Sequence, residues 1–173
     1  MDGFKERNEA GLESEQYVRP ELEQRGYDVQ TWGREVFSPG INAALNSYRD
    51  TYGNSCALRW QPDFLIMQRG KPQSLRAVEV KRYYGQPKIS RLAADALIGL
   101  DRAYRMPILI VFHCPERDED HVLGVLTARQ CLKLGGTTNP GNPETGSGEP
   151  LFYIDPRHLE PFDKHFGAKT KPQ

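Results

Sequence analysis

Three residues between Gln61 and Tyr84 could do chemistry together: the acids Asp63 and Glu79 and the base Lys81. If a hairpin sets the two acids opposite each other, their Cβ atoms lie about 5 Å apart. At an effective dielectric near 20 the repulsion is then about 3 kcal/mol. A shared proton offsets it by raising one carboxyl pKa; a divalent cation held between the oxygens offsets it and uses the geometry. Lys81 lies two residues beyond Glu79, and strand side chains at i and i+2 share a face, so its ammonium projects beside both acids.

The elements that must position them read as a β-hairpin. Asp63–Met67 and Leu75–Lys81 are rich in branched apolar residues and flank Arg69-Gly70-Lys71-Pro72, the composition of a tight turn. A turn centred on Lys71 sets Asp63 opposite Glu79, Leu65 opposite Ala77 and Gln61 opposite Lys81. Phe64, Ile66, Val78 and Val80 then point away from the acids, while Leu65, Met67, Leu75 and Ala77 flank them on their own side. A hairpin apolar on both faces belongs in the middle of a covered sheet, where two acids are costly unless paired or bound to metal. A turn one residue away would flip one acid to the other face, and acids merely flanking the strands in solvent are the plain alternative. The alternation leaves these readings open.

Pro62-Asp63, fifteen residues, then Glu79-Val80-Lys81 resembles the signature of the PD-(D/E)XK nuclease superfamily. The resemblance implies that Asp63, Glu79 and the Val80 carbonyl hold Mg²⁺, with Mn²⁺ able to substitute, and that Lys81 assists attack on a phosphodiester. It also implies a hairpin preceded by a helix and followed by a helix and a strand. Holliday junction resolvase-like and Mrr-like members begin with a helix, a glycine and a strand. The resolvase helix carries a Gly-x-x-x-Glu pattern that Gly11-Leu12-Glu13-Ser14-Glu15 matches. By that likeness Glu15 completes the metal site, with Glu13 as the alternative. The resemblance implies DNA as partner, a structure-selective endonuclease, a symmetric homodimer and no nucleotide cofactor. A restriction-type or phage-type endonuclease is the rival within the enzyme class. A nucleic-acid-binding module without chemistry, or a structural role, are rivals outside it.

The remaining chain agrees with one α/β domain over residues 1–173, with a restriction-endonuclease-like core: a mixed central sheet flanked by helices in αβββαβ order. Helix formers run from Phe4 to Arg25, with Leu12, Gln16 or Val18, and Leu22 on one face; Pro20 interrupts and Gly26 stops them. Tyr27–Trp32 alternates as a strand. Residues 33–60 are a long connection with mixed aromatic and cationic content, including Arg49 and Arg59, which suits gripping a nucleic acid strand; a packed excursion is the plain alternative. After the hairpin comes a loop, Arg82-Tyr83-Tyr84-Gly85-Gln86-Pro87-Lys88. A helix capped by Ser90 then runs to about Tyr104, with Leu92, Ala93, Ala96, Leu97, Leu100, Ala103 and Tyr104 inward. Free amides at its start, with Lys88 and Arg91, suit a phosphate. Met106–His113 reads as a buried strand, His121–Thr127 as another, followed by a short helix to Leu134. Residues 135–150 are dominated by Gly, Pro, Thr, Asn and Ser and read as a flexible loop. Leu151–Asp155 reads as an edge strand, and Pro156–Phe166 as a last helical turn.

Composition bounds the partners. The 173 residues carry no formal net charge, so nucleic-acid affinity must come from a local patch rather than bulk basicity. Such a patch gathers after the hairpin at Lys81, Arg82, Lys88, Arg91, Arg102 and Arg105, opposed there by Asp95 and Asp101, and Arg82, Tyr83, Lys88 and Arg91 are the candidate nucleic-acid contacts in it; a solvated helix face is the plain alternative. Cys56, Cys114 and Cys131 are scattered and odd in number, which excludes a disulfide framework or a CxxC zinc site and fits a reducing interior. The charged start lacks an apolar signal core, and the longest apolar run is too short to span a bilayer, so a soluble cytoplasmic protein is expected. His113, Cys114 and His121 surround the acidic turn at 116–120, which is more simply a solvated loop than a second metal site.

Overall fold

The computed structural model of the chain describes residues 2–32, 61–117, 122–137 and 150–169. The elements are α1 (Asp2–Glu23), β1 (Tyr27–Thr31), β2 (Phe64–Gln68), β3 (Arg76–Arg82), β4 (Lys88–Ser90), α2 (Arg91–Tyr104), β5 (Ile108–His113), β6 (Leu123–Thr127), α3 (Ala128–Leu134), β7 (Gly136–Thr137), β8 (Leu151–Tyr153), β9 (Glu160–Pro161) and α4 (Phe162–Phe166). A six-stranded sheet runs β1-β2-β3-β5-β6-β9, and a three-stranded sheet runs β4-β8-β7. In the larger sheet every neighbouring pair is antiparallel except β3 and β5, which run parallel on either side of the α2 crossover.

The hairpin register is the one that a turn centred on Lys71 requires: Phe64 pairs with Val78, Leu65 with Ala77 and Ile66 with Arg76. The connection is longer than a tight turn. A 3-10 turn at Pro72–Ser74 follows Gly70, and Ser74 Oγ accepts from Gln68 N at 2.8 Å while donating to the Lys71 carbonyl at 2.7 Å. Leu75, expected on the acid-bearing face of the strand, lies in this connection and is 46% exposed.

Each face of the sheet has its own apolar layer. Val18 and Leu22 of α1 and Phe162 and Phe166 of α4 cover Phe64, Ile66, Val78, Val80, Val111 and Val125. On the other face Ala93, Ala94, Leu97 and Leu100 of α2 cover Ala77, Ile108, Ile110 and Phe112, with Cys131 of α3 and Phe152 of β8 beside them. Each large side chain buried this way contributes about 1.5–3 kcal/mol. All six residues of β5 are buried, as its continuous apolar run requires for a strand covered on both faces.

Four further expectations change. Pro156–Phe166, read as one helical turn, holds a 3-10 turn at Pro156–His158, then β9, which pairs with β6, and then α4. α1 runs through Pro20, which lies on its exposed side, and its buried stripe is Ser14, Val18 and Leu22 rather than one starting at Leu12, which is half exposed. Ala103 and Tyr104 at the end of α2 face outward, although Tyr104 meets Trp32 edge-on at 6.1 Å. β8 is the middle strand of the small sheet, not an edge, because Lys88–Ser90, read as loop, pairs with it. Ser90 does cap α2, accepting from Ala93 N, and Arg105 in the left-handed region closes it. The expected features of residues 33–60 and His121, and most of the 135–150 loop, lie outside the described residues. Cys114 and Cys131 are buried thiols, and burial pushes Cys131 up to about 12, which leaves it inert. No helix among the described residues is long and apolar enough to cross a membrane.

Candidate active site

β3 and the chain entering β2 hold the acids. The hairpin ladder ends at Phe64 and Val78, one position short of Asp63 and Glu79. Pro62 has no N–H with which to continue it. In its place the Val80 N–H donates to Asp63 Oδ2 at 2.6 Å, and the Asp63 carbonyl accepts from Trp32 N at 2.8 Å. Asp63 is therefore not a ladder residue paired with Glu79. It sits just outside the hairpin ladder with its carboxylate turned toward the β3 backbone at Val80, the residue between Glu79 and Lys81.

Glu79 is 8% exposed, and its Oε1 is ion-paired with Lys81 Nζ. About a third of the Lys81 side chain remains exposed. The charges act on one another. Burial, then the Glu79 and Glu15 carboxylates, hold the Asp63 carboxyl well above its usual range, against the opposing pull of Lys81 and the Val80 N–H. Burial pushes the Lys81 ammonium down, but Glu79, Asp63 and Glu15 outweigh it and the net shift is upward, so Lys81 stays charged. Glu15 is thus within electrostatic reach of both Asp63 and Lys81, whereas Glu13 is ion-paired with Arg82.

The donor chemistry fits a hard cation: three carboxylates and a backbone carbonyl are all oxygen, and the carboxylate repulsion that adds to burial in raising Asp63 is what a divalent ion removes. Among the described residues, however, no group of three or more His, Cys, Asp and Glu is arranged as a ready-made metal cage. Mg²⁺ does not need one, since it keeps several waters and binds through one or two carboxylates plus substrate oxygens.

The residues expected to contact nucleic acid divide. Lys88 is exposed, with its Nζ 5.8 Å from the Tyr153 ring centre, and Arg91 is half exposed and bonded to Asp95 at 2.7 Å. Tyr83 is 3% exposed and packs edge-on against Phe112, so its ring faces the core; its neighbour Tyr84, 54% exposed, is the outward aromatic. Arg82 is mostly buried, pairs with Glu13 and lies under the Tyr84 ring at 5.2 Å. Two amides at the start of α2 are already used, Arg91 N by the Pro150 carbonyl and Ala93 N by Ser90. Arg49 and Arg59 lie outside the described residues.

A second polar cluster borders the acids and escaped the sequence reading. His113, 5% exposed at the end of β5, has Nδ1 3.0 Å from Ser14 Oγ, and its ring stacks on Tyr17 at 4.6 Å and 12°. The signal available was Ser14, a hydroxyl one helical turn before Val18 in the buried stripe.

Among solved structures, the chain resembles Hjc of Archaeoglobus fulgidus, a Holliday junction resolvase from an archaeal hyperthermophile, with a TM-score of 0.57 and 13% identity over 93% of this chain and 98% of that one. At that identity the likeness is one of fold: a mixed α/β domain with a central sheet flanked by helices. No protein-family model and no curated protein sequence matches the chain.

Proposed function

We propose that the protein is a Mg²⁺-dependent DNA endonuclease that hydrolyses phosphodiester bonds and selects branched, junction-like substrates. The observation that carries the reading is the convergence of Asp63, Glu79 and Glu15 on Lys81 at a partly buried site, where burial and then the neighbouring carboxylates raise Asp63. Asp63, Glu79, Glu15 and the Val80 carbonyl are the residues that would hold the ion. Bound there, Mg²⁺ supplies Lewis acidity toward a phosphate and lowers the pKa of water. Lys81, kept charged by its acidic neighbours and exposed over a third of its side chain, orients the attacking water and stabilises charge growing on the phosphate oxygens. Val80 N–H fixes the Asp63 carboxylate, so a ligand is held before substrate arrives.

Lys88, Arg91 and Tyr84 extend from this site along the loop and the start of α2, and suit contacts to a phosphate backbone and an unstacked base rather than reading of base edges. Selection by shape accords with the absence of a separate base-reading element among the described residues, and with the fold likeness to a junction resolvase. A homodimer presenting two such sites would match the symmetry of a four-way junction.

The test is cleavage of a labelled four-way junction beside a linear duplex of the same sequence, with Mg²⁺ or chelator, by wild type and Lys81→Ala. Paired Mg²⁺-dependent cuts confined to the junction and lost in the variant are expected. Equal cutting of both substrates would discard the junction preference, and no cutting of either would count against the nuclease.

A further inference from the structure

The helix that carries Glu15 is fastened to the sheet by the polar cluster at His113 and Arg82. We propose that His113, Ser14 and Arg82 are positioning residues, which fix the rotation and translation of α1 so that Glu15, and not a neighbouring side chain, faces Asp63 and Lys81. The proposal rests on the metal-dependent nuclease reading above.

The need follows from helix geometry. A slip of one residue turns a helix by 100° and moves it by 1.5 Å, which carries Glu15 away from the site. Val18 and Leu22 hold α1 against the sheet, but apolar packing is non-directional and penalises small rotations weakly. Hydrogen bonds have direction. Arg82 Nη1 donates to the Ala10 carbonyl at 3.2 Å and also pairs with the Glu13 carboxylate. Ser14 Oγ donates to the Ala10 carbonyl at 3.2 Å, so with its proton committed the oxygen accepts from His113 Nδ1–H at 3.0 Å. Tyr17 stacks on the face of the same imidazole. The attachments at positions 10, 13, 14 and 17 bracket Glu15 on both sides.

The anchor is also in the right place. Arg82 follows Lys81 on β3 and pairs with His113 on β5, so the strand that holds Glu79 and Lys81 holds the clamp too. Burial, then the charge of Arg82, push the His113 imidazole below its usual pKa, which favours the neutral ring.

The experiment measures Mn²⁺ binding to the DNA-free protein by paramagnetic resonance titration, together with Mg²⁺-dependent cleavage and a thermal melt. The proteins are wild type, Ser14→Ala, His113→Leu, His113→Asn, Glu15→Gln and the Ser14→Ala, Glu15→Gln double variant. Ser14→Ala and His113→Leu should each weaken Mn²⁺ binding and cleavage by about tenfold or more, the size of effect seen when partners that orient metal ligands are removed. His113→Asn, whose amide can still donate to Ser14, should recover most of both. In the Glu15→Gln background Ser14→Ala should add less than about twofold, because there is no longer a carboxylate to position. Wild-type Mn²⁺ binding and cleavage in Ser14→Ala and His113→Leu would overturn the proposal, as would a Ser14→Ala loss that multiplies in full with that of Glu15→Gln. Unchanged metal binding and cleavage in Glu15→Gln would instead remove the role of Glu15 itself.

Discussion

Asp63→Asn should stabilise the metal-free protein at pH 8 while abolishing its activity. Burial and the Glu79 and Glu15 carboxylates raise the Asp63 carboxyl well above its usual range. In the unfolded chain an aspartate loses its proton near pH 3.9. Between that value and the raised folded one, the native state binds more protons. Stability therefore falls as pH rises through the window and stays lower above it. Removing the ionisation should return the loss. Burial is the largest part of the penalty on the ionised carboxylate, the Glu79 and Glu15 charges add to it, and the nearby Lys81 ammonium cancels part, which leaves a net gain of about 1–2 kcal/mol when the ionisation is removed. The amide oxygen of Asn can still accept the Val80 N–H, so little is lost locally. For a chain of this size the gain is a rise in melting temperature of about 2–8 °C. The assay is a thermal melt in chelator at several pH values, repeated with saturating Mg²⁺, which should raise wild type more than the variant because only wild type keeps the full ligand set. An Asn variant that melts below wild type at pH 8 in chelator would refute the reasoning, as would a gain that fails to shrink as the pH drops toward 4.

Lys81→Met leaves the buried Glu79 carboxylate without its ammonium. It should cost about 1–3 kcal/mol in urea denaturation and lower single-turnover cleavage by at least about 100-fold. Mn²⁺ should replace Mg²⁺ in cleavage, whereas Ca²⁺ should bind and support poor turnover, because its looser coordination places oxygens less strictly; full activity in Ca²⁺ would contradict the assignment. Thr127→Ala removes the side chain that accepts from Gln130 N at the start of α3, and should cost about 1 kcal/mol in the same denaturation with cleavage unchanged.

The hairpin was legible because two local signals agree. Alternation with period two fixes which side chains share a face, and the Arg69–Pro72 turn composition fixes where the chain reverses; together they give the Leu65–Ala77 register that the strands adopt. The buried β5 run and the Ser90 cap are equally local. The end of the ladder was not legible, since whether Asp63 stays in the sheet depends on how far pairing continues past Pro62. The phase of α1 was misread at Leu12, because hydropathy treats a leucine as inward and a serine as outward. Here Ser14 is the buried residue, matched by His113 on a strand ninety-nine positions away. The same phase separates Glu13 from Glu15, a choice that the abundance of glutamates on this helix left open. Tyr83 and Tyr84 read alike in sequence, and only the packing of Phe112 distinguishes the core ring from the exposed one. The β4–β8 pairing joins short segments far apart in the chain, and three residues after Pro87 carry too little pattern to announce a strand.

The most direct test of the central claim is single-turnover cleavage of end-labelled four-way junction DNA at saturating protein, with Mg²⁺, by wild type, Asp63→Asn and Glu79→Gln, each first verified as folded by its melt. The account predicts cleavage by wild type alone, abolished by chelator and absent from both variants while junction binding persists. Cleavage by either variant at the wild-type rate would contradict it.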